Sequence, residues 1–407
     1  MRPFLSALIL ACVAAWAVAG VPRVRVGADV LFAGRMNLVA EKRVGVITNH
    51  SARIASGVHL VDELLRRGVR VTALFGPEHG IRGEEAAGRH VRDTVDVLTG
   101  LPVYSLYGAT RAPTPAMLET VDVLVYDIQD VGVRFYTYIS TMVLSMEAAA
   151  ARGIPFIVLD RPNPLGGLLV DGPVLPDSLR SFVGPLPIPV VYGLTAGELA
   201  TMANEEGWLH GGTRAQLTVV PMEGWTRRMR WVETGLEWVP PSPNLPTPEA
   251  ADAYPAICLL EATNFSEGRG TPEPFLTIGA PFVPSGSFLA ARIAEAGLKG
   301  VSARPVEFTP VSSKHAGVVC RGVRILMNPA LVTEPVFSGL AILSVLRQAC
   351  PDSIKISPSS LKRLLGDPTA LERLRSGETP AAIAASWSSR LEQYRIRSMT
   401  YRRYPEK

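Results

Sequence analysis

The chain has 407 residues, of which 47% are hydrophobic and only 19% are charged, and its formal net charge is +4. This length and hydrophobic content allow more than one folded core and argue against an extensively disordered chain. The charge is small for the length, and no stripe of Lys and Arg alternates with aromatic residues, so we expect no nucleic-acid partner.

The first 19 residues have the layout of a secretory signal peptide. An early cation, Arg2, precedes an apolar run over residues 4–18, and the tripeptide Ala17-Val18-Ala19, with its two small residues, comes before Gly20. This layout predicts cleavage near Gly20 and export to the periplasm or the extracellular space, with no integral membrane segment left in the mature chain. There are two alternatives: a membrane anchor, for which the apolar run is marginally short, and lipid attachment at Cys12, although the apolar run continues well past that residue.

A strand-like apolar run ends in a polar loop four times in the first 170 residues. The runs cover residues 44–47, 71–75, 123–126 and 156–159, and helical patterns cover 58–67 and 137–152. Strands that alternate with helices predict an open parallel sheet. The loops at the carboxyl ends of such strands meet in one crevice, so the pattern also predicts an enzyme or a binder of a polar ligand.

The same pattern continues to about residue 240. Further strands are expected at 188–192 and 216–220, which brings the total to about six, and Thr195 with Glu198 predicts a capping box at a helix start. The proline-rich segment 240–248 then ends the pattern, because proline lacks a backbone donor and cannot continue a helix or a central strand. This segment is either a plain linker or a stiff wall of a cleft between two domains.

The remaining residues mix both kinds of element and predict a smaller α+β module. Strand-like runs cover 256–261, 306–310 and 323–328, and helical patterns cover 287–296, 337–349 and 371–392.

Several familiar motifs are absent from the sequence. It contains no GxGxxG after the first strand, no GxxxxGK[ST], no HExxH and no GxSxG. Dinucleotide binding, NTP hydrolysis, zinc proteolysis and α/β-hydrolase chemistry are therefore disfavoured, and we expect no cofactor and no metal. Cys258, Cys320 and Cys350 have no metal-binding spacing, and buried free thiols are favoured over a disulfide.

Carboxylate chemistry remains, and Glu78 is its leading candidate. Glu78 lies in the tight loop 77–80 just past a buried strand, where partial desolvation would suit a general acid. The alternative is that Glu78 caps the next turn or pairs with Arg82. Asp127 and Asp130 in the third loop and Asp160 at the end of the fourth strand could each supply a second carboxylate, although Asp160 is also suited to anchor its own Arg-Pro loop.

Arginines are concentrated in the same loops. Their forked guanidinium groups suit a ligand that carries a carboxylate. These residues are Arg82, Arg134, Arg161 and Arg269.

Taken together, these stretches resemble the exo-β-N-acetylmuramidases of the NamZ type. The matching segments are 45–51, 75–83, 126–138, 160–164, 241–244 and 264–271, and the resemblance extends from about residue 24 to the end of the chain. It implies an α/β fold with a Rossmann-like parallel-sheet domain over 20–240, a smaller carboxyl-terminal α+β domain over 241–407, and an active site in the cleft between them. The implied reaction removes the non-reducing terminal N-acetylmuramic acid from peptidoglycan-derived MurNAc-GlcNAc fragments, with Glu78 as general acid/base.

The matching segments also nominate the site residues. The expected catalytic residues are Glu78, His79, Asp127 and Glu267. The expected substrate-binding residues are Asn49, His50, Arg82, Gln129, Asp130, Arg134, Tyr136, Arg161, Asn163, Asn244, Asn264 and Arg269. The lactyl carboxylate of muramic acid would account for the arginines, and its hydroxyl and acetamido groups for the amides.

Three alternatives stay open. The acetamido group of the substrate could replace the second carboxylate, as in substrate-assisted glycosidases. An exported binding protein would need the same arginines and amides but no titrating Glu78. An esterase or amidase acting on wall fragments is weaker, because its nucleophile motif is missing.

Overall fold

The computed structural model describes residues 24–78, 80–82 and 93–407. The predicted signal peptide and the predicted catalytic residue His79 lie outside the described residues. Within the described ranges, no helix combines the length and apolar character needed to cross a bilayer.

A seven-stranded sheet organises the amino-terminal part of the described chain. Its strands are β1 (Val44–Thr48), β2 (Val71–Gly76), β3 (Thr94–Val95), β4 (Pro102–Ser105), β5 (Val123–Asp127), β6 (Phe156–Leu159) and β7 (Leu217–Val220). They lie in the order β3-β4-β2-β1-β5-β6-β7, and all neighbours are parallel except β3 and β4. The predicted parallel sheet is confirmed, and β3 and β4 are additions to it.

Four helices cover the two faces of this sheet. They are α1 (Gly27–Gly34), α2 (Leu60–Arg66), α3 (Tyr138–Ala151) and α4 (Ala196–Glu205). Val46 packs with α1 and α2, whereas its neighbour Ile47 packs with α3 and α4, because successive strand side chains point to opposite faces. The predicted capping box begins α4: the hydroxyl of Thr195 accepts from the backbone N–H of Glu198, whose carboxylate accepts from the N–H of Thr195 at 3.0 Å.

The prediction of a strand at residues 188–192 is wrong. This segment forms only isolated bridges, in which Val191 pairs with Val133 and with Asp171. Pro187 and Pro189 flank Ile188, and a residue without a backbone N–H cannot sustain a ladder in the middle of a sheet.

The carboxyl-terminal part contains a second, smaller sheet, as the predicted α+β module requires. Its strands are β8 (Thr277–Ala280), β9 (Val301–Phe308) and β10 (Cys320–Met327), in the antiparallel order β8-β10-β9. Its helices are α5 (Pro248–Ile257), α6 (Gly286–Glu295), α7 (Pro335–Ala349), α8 (Pro358–Leu365), α9 (Ala370–Arg375), α10 (Pro380–Ala385) and α11 (Ser388–Met399). The two-domain α/β architecture is therefore confirmed.

Two expectations for this part are wrong. The run 256–261 is not a strand: it is the end of α5 and a 3₁₀ turn over Cys258–Ala262. A short, fully buried apolar run has no periodicity that separates strand from helix, and Thr247 with Pro248 begins a helix upstream. The single helix expected over 371–392 is also wrong, because this segment is divided among α9, α10 and α11. Gly377 adopts φ +91°, and Thr379-Pro380 starts a new helix.

Arg134 joins the two parts of the molecule. Its guanidinium is fully buried, and Nη1 donates to the carbonyl oxygens of Pro173 and Ile188, each at 2.9 Å. Nη2 donates to the carbonyls of Leu364 and Leu365 at the end of α8, also at 2.9 Å. Burial lowers the pKa of Arg134 to about 9. The side chain therefore satisfies two backbone acceptors on each side of the domain junction.

Asp171 makes a second connection across the junction. Its Oδ2 accepts from the backbone N–H of Val336 at 2.7 Å, in the first turn of α7. A carboxylate at a helix amino terminus satisfies a donor that has no partner within the helix. Burial raises the pKa of Asp171 to about 6.

Candidate active site

The amino-terminal sheet changes its direction of winding at β1. The chain proceeds from β1 to β2 on one side and returns to place β5 on the other side of β1, with Thr48 opposite Asp127 at the carboxyl ends. Ligands of open α/β sheets bind in the crevice outside such a reversal. The loops after β1, β2, β4 and β5 therefore surround one position.

Glu78 and Tyr107 come together because their strands are neighbours. Gly76 at the end of β2 pairs with Ser105 at the end of β4, so the two following loops run side by side. The hydroxyl of Tyr107 hydrogen-bonds to the carboxylate of half-buried Glu78. Burial, with the negative charge of Glu78, raises the pKa of Tyr107 to about 12, so the phenol stays protonated near neutral pH.

A cavity of ≈ 200 Å³ opens beside Glu78, between the two parts of the molecule. Its walls come from the loops after β2, β4 and β5, from the proline-rich segment, and from α5 with the loop that follows it. The lining residues are Glu78, Tyr107, Phe135, Tyr136, Thr137, Tyr138, Val183, Ser242, Asn244, Leu245, Tyr254, Cys258, Glu261, Arg269, Phe275 and Leu364. This volume suits a single sugar residue better than a length of glycan chain.

Aromatic rings form one wall of the cavity. The Tyr136 ring lies edge-on to Tyr138 at 4.7 Å and to Tyr254 at 5.9 Å, and Tyr254 contacts Phe275 at 4.7 Å between centroids. The buried hydroxyl of Tyr136 has no well-formed hydrogen bond to any residue that the structure describes. A buried polar group without a partner is unfavourable, so this hydroxyl is a candidate contact for a bound ligand.

The proline-rich segment forms a second wall and is held in place by its carbonyl groups. The Tyr138 hydroxyl donates to the carbonyl of Pro241 at 2.7 Å, and His50 Nε2 lies 2.7 Å from the carbonyl oxygen of Pro240. Ser242 and Asn244 line the cavity, so the segment is a wall of the cleft rather than a plain linker. His50 therefore supports this wall from behind.

The wall contributed by the carboxyl-terminal part carries charge. Arg269 Nη2 donates to Glu261 Oε1 at 2.6 Å, and Arg269 Nε lies 3.3 Å from Oε1 of the buried Glu267. Lys314 binds the other oxygen of Glu267 at 2.9 Å. The guanidinium also covers the ring of Phe275 at 5.0 Å. Glu261 and Arg269 both line the cavity, whereas Glu267 lies behind Arg269 and orients it.

Asp127 and Arg161, predicted to act on substrate, bind each other. Arg161 Nε donates to Asp127 Oδ1, and Nη2 donates to Oδ2 at 3.0 Å and to the carbonyl of Arg53 at 3.1 Å. Both side chains are buried, at 0% and 6% exposure. Neither lines the cavity beside Glu78.

Asp130, Gln129 and Asn163 stabilise the loops after β5 and β6. Asp130 accepts from the backbone N–H of Gly132 at 2.7 Å and from the hydroxyl of Tyr192, and burial raises its pKa to about 6. Gln129 Nε2 donates to the carbonyls of Asp130 and Pro162, each at 2.7 Å. Asn163 packs on Gly132, where a Cβ would lie 2.3 Å from Asn163 Oδ1.

The other predicted binding residues also have protein partners. Arg82 forms a two-point ion pair with Asp96, with contacts of 3.0 and 2.8 Å. Asn264 Nδ2 donates to the carbonyl of Ser353 at 2.9 Å, and Oδ1 accepts from the N–H of Lys355 at 2.7 Å. Arg134 is the junction residue described above.

Asn49 is fully buried and does not line the cavity. Its Oδ1 accepts from the backbone N–H and the hydroxyl of Ser51. Asn49 therefore orders the loop that follows β1. Of the predicted site residues that the structure describes, the cavity lining includes Glu78, Tyr136, Asn244 and Arg269.

Sequence reasoning missed several lining residues. Tyr107 follows β4, a short strand that was not predicted. Glu261 ends the run 256–261 that was predicted as a strand, and Tyr254 lies in α5, just before that run. The one available signal was Glu261 itself, which opens the polar, glycine-rich segment 261–271. Among the lining residues that the structure describes, the two that carry a carboxyl group are Glu78 and Glu261.

These groups suit the hydrolysis of a glycosidic bond. A carboxyl group that holds a proton can protonate a leaving oxygen, and a second carboxylate can stabilise or attack the sugar cation. Arg269, which is paired with Glu261, offers N–H donors to a ligand carboxylate. Each known glycosidase of the two-carboxylate kind needs both functions on opposite sides of one bond.

Comparisons with known proteins agree with this chemistry. Residues 44–249 match the family model described as exo-beta-N-acetylmuramidase NamZ, N-terminal, and residues 253–404 match the corresponding C-terminal model. The peptidoglycan beta-N-acetylmuramidase NamZ of Bacillus subtilis (strain 168) is 44% identical over 385 residues, which cover 94% of this chain and 91% of that protein.

Two crystal structures of DUF1343 family proteins from Bacteroides fragilis NCTC 9343 have a similar fold. The first superposes with a TM-score of 0.85 at 38% identity, and the second with a TM-score of 0.78 at 33% identity. In each case the match covers 94% of this chain and 99% of the other.

Proposed function

The chain belongs to the exo-β-N-acetylmuramidase NamZ family and is a glycosidase, and we propose that it removes the non-reducing terminal N-acetylmuramic acid from peptidoglycan-derived MurNAc-GlcNAc fragments. One observation places the proposed reaction in the cavity between the two parts: this cavity is lined by the carboxyl groups of Glu78 and Glu261 and by Arg269. Its size fits one terminal sugar, as an exo-acting enzyme requires.

Glu78 is the proposed general acid. In this role it donates a proton to the glycosidic oxygen as the bond to the anomeric carbon breaks, and so avoids the release of an alkoxide. Tyr107 is a positioning residue, because its protonated hydroxyl bonds to the Glu78 carboxyl group and fixes its direction. His79 adjoins Glu78 in the chain and stays a candidate for the same proton transfer.

The second catalytic group faces a sugar with positive charge at its anomeric carbon. Glu261 is the proposed carboxylate for this role, since it lines the cavity and Asp127 does not. Asp130 and Glu267 do not line the cavity either: Asp130 is bound by Gly132 and Tyr192, and Glu267 by Lys314 and Arg269, which disfavours both. The acetamido group of the substrate is the alternative to a protein carboxylate.

A disaccharide assay tests the proposed function. Purified chain is incubated with MurNAc-GlcNAc and, separately, with GlcNAc-MurNAc, and the sugars are identified by mass spectrometry. We expect free N-acetylmuramic acid from the first disaccharide and no cleavage of the second. Cleavage of GlcNAc-MurNAc alone, or of neither disaccharide, would reject the proposal.

Arg269 is the proposed reader of the lactyl carboxylate. Replacing Arg269 by Ala should lower kcat/KM for a muraminide about tenfold to a hundredfold relative to the glucosaminide, as expected for loss of a charge-assisted hydrogen bond. Arg269→Lys should recover part of this selectivity. Arg228→Ala, at an exposed arginine, is the matched control and should leave kcat/KM unchanged for both substrates. Equal losses on both sugars in Arg269→Ala would indicate a structural role.

We also propose export of the mature chain, on the support of the amino-terminal layout described above. The first residue of the mature protein should lie at or near Gly20. Amino-terminal sequencing of protein recovered from outside the cytoplasm tests this. A sequence that begins at Met1, or a lipid on Cys12, would overturn the proposal of a soluble exported enzyme.

A further inference from the structure

A second and larger cavity lies next to the proposed active site. Its volume is ≈ 870 Å³, and it runs along one side of α3 between the segments around residues 109–114, 180–185 and 207–211. No catalytic carboxyl group of the proposed mechanism lines this cavity, which we call the α3 groove.

The α3 groove begins where the active-site cavity ends. Thr137 lines the active-site cavity, and the α3 groove continues past Ser140 and Leu144 to Glu147 on the same side of the helix. Ten residues of helix at 1.5 Å per residue give the groove a length of roughly 15 Å beyond Thr137. The two cavities also share a wall, since Val183 lines the first and its neighbour Phe182 lines the second.

The contact between the cavities lies beside the proposed acid. The Tyr107 ring, whose hydroxyl bonds to Glu78, packs against the Phe182 ring at 6.2 Å between centroids. A general acid must approach the oxygen that joins the cleaved sugar to its leaving group. The leaving group therefore emerges near Glu78 and Tyr107, at the end of the α3 groove.

The α3 groove offers the groups that bind saccharides. Phe182 and Trp208 are partly exposed and present apolar ring surfaces. Arg111 is exposed and lies over the Phe182 ring at 4.8 Å, where its guanidinium can also bind a carboxylate. Glu147 at the far end accepts from the backbone N–H of His210 at 2.7 Å, which fixes the end of the groove.

We propose that the α3 groove binds the saccharide chain on the leaving-group side of the cleaved bond, with Phe182 and Trp208 against sugar faces and Arg111 at the lactyl carboxylate of the next muramic acid. This inference rests on the proposed function. It makes the enzyme selective for glycans longer than a disaccharide, although it removes one sugar at a time.

Two substrates separate the α3 groove from the active-site cavity. The first is the peptide-free tetrasaccharide MurNAc-GlcNAc-MurNAc-GlcNAc, and the second is a chromogenic N-acetylmuraminide whose small aglycone does not reach the groove. The ratio of kcat/KM between them should fall about tenfold in Arg111→Ala and in Trp208→Ala, a change equivalent to about 1.4 kcal/mol. Arg228→Ala is the control and should keep the parent ratio.

Each outcome of this experiment decides the proposal. An unchanged ratio in both variants would overturn it, and Arg111→Ala keeps the test valid if the loss of Trp208 impairs folding. The same ratio is also measured with a glycan that carries stem peptides in place of the tetrasaccharide; a fall seen only with that glycan would overturn the proposal, because the groove would then bind peptide. Failure of the proposed function is distinguishable, since the parent would then cleave neither substrate.

Discussion

Replacing Glu78 by Gln is expected to lower kcat for MurNAc-GlcNAc by about 10² to 10⁴, the contribution typical of general acid catalysis. Gln keeps the shape of the side chain and can accept from the Tyr107 hydroxyl, but it cannot donate a carboxylic proton. The melting temperature should stay close to that of the parent, and the variant should still bind the disaccharide. The kinetics are measured by release of N-acetylmuramic acid, and binding by calorimetry.

The leaving group provides the control for this experiment. A chromogenic phenolate leaves without full protonation, so the loss in Glu78→Gln should be much smaller on a chromogenic muraminide than on the disaccharide. Equal large losses on both substrates would point to a nucleophile rather than an acid. Activity of Glu78→Gln within a few-fold of the parent on the disaccharide would remove Glu78 from the mechanism.

Replacing Arg134 by Ala is expected to lower the free energy of unfolding by more than about 3 kcal/mol. The change removes the guanidinium donors of four buried carbonyl oxygens, two of them at the end of α8 across the domain junction, and of these Ile188 keeps a bond from the backbone N–H of Leu175 at 3.1 Å. Urea denaturation followed by circular dichroism measures the effect.

The control for Arg134 is Arg228→Ala, which removes an exposed arginine and should change the unfolding free energy by less than about 0.5 kcal/mol. If Arg134→Ala unfolds at the parent urea concentration but loses binding of N-acetylmuramic acid, Arg134 contacts substrate and the structural assignment is wrong.

The amino-terminal sheet was predictable because its strands are short, apolar and separated by helical patterns. Four runs before residue 160 correspond to β1, β2, β5 and β6. The errors occur where local patterns compete: two prolines prevent Ile188 from entering a ladder, and the buried end of α5 has no polar face that would reveal a helix. Tertiary packing decides such segments.

The candidate site was only partly predictable, for a related reason. A loop at the edge of a sheet needs polar side chains both to bind ligand and to satisfy its own backbone, and the two uses have the same composition. Arg161 and Asp130 serve the second use, whereas Arg269 faces the cavity. Whether each of these side chains points into the cavity or into the protein depends on binding partners that lie far away in the sequence.

Hydrolysis of a chromogenic N-acetylmuraminide, measured beside its N-acetylglucosaminide counterpart, tests the muramidase assignment most directly. The two substrates differ in the lactyl group, so the comparison reports both the reaction and the recognition attributed to Arg269. We expect the purified mature chain to cleave the muraminide with a kcat/KM at least about tenfold above that for the glucosaminide, which corresponds to about 1.4 kcal/mol. Equal cleavage of the two sugars, or faster cleavage of the glucosaminide, would contradict the assignment.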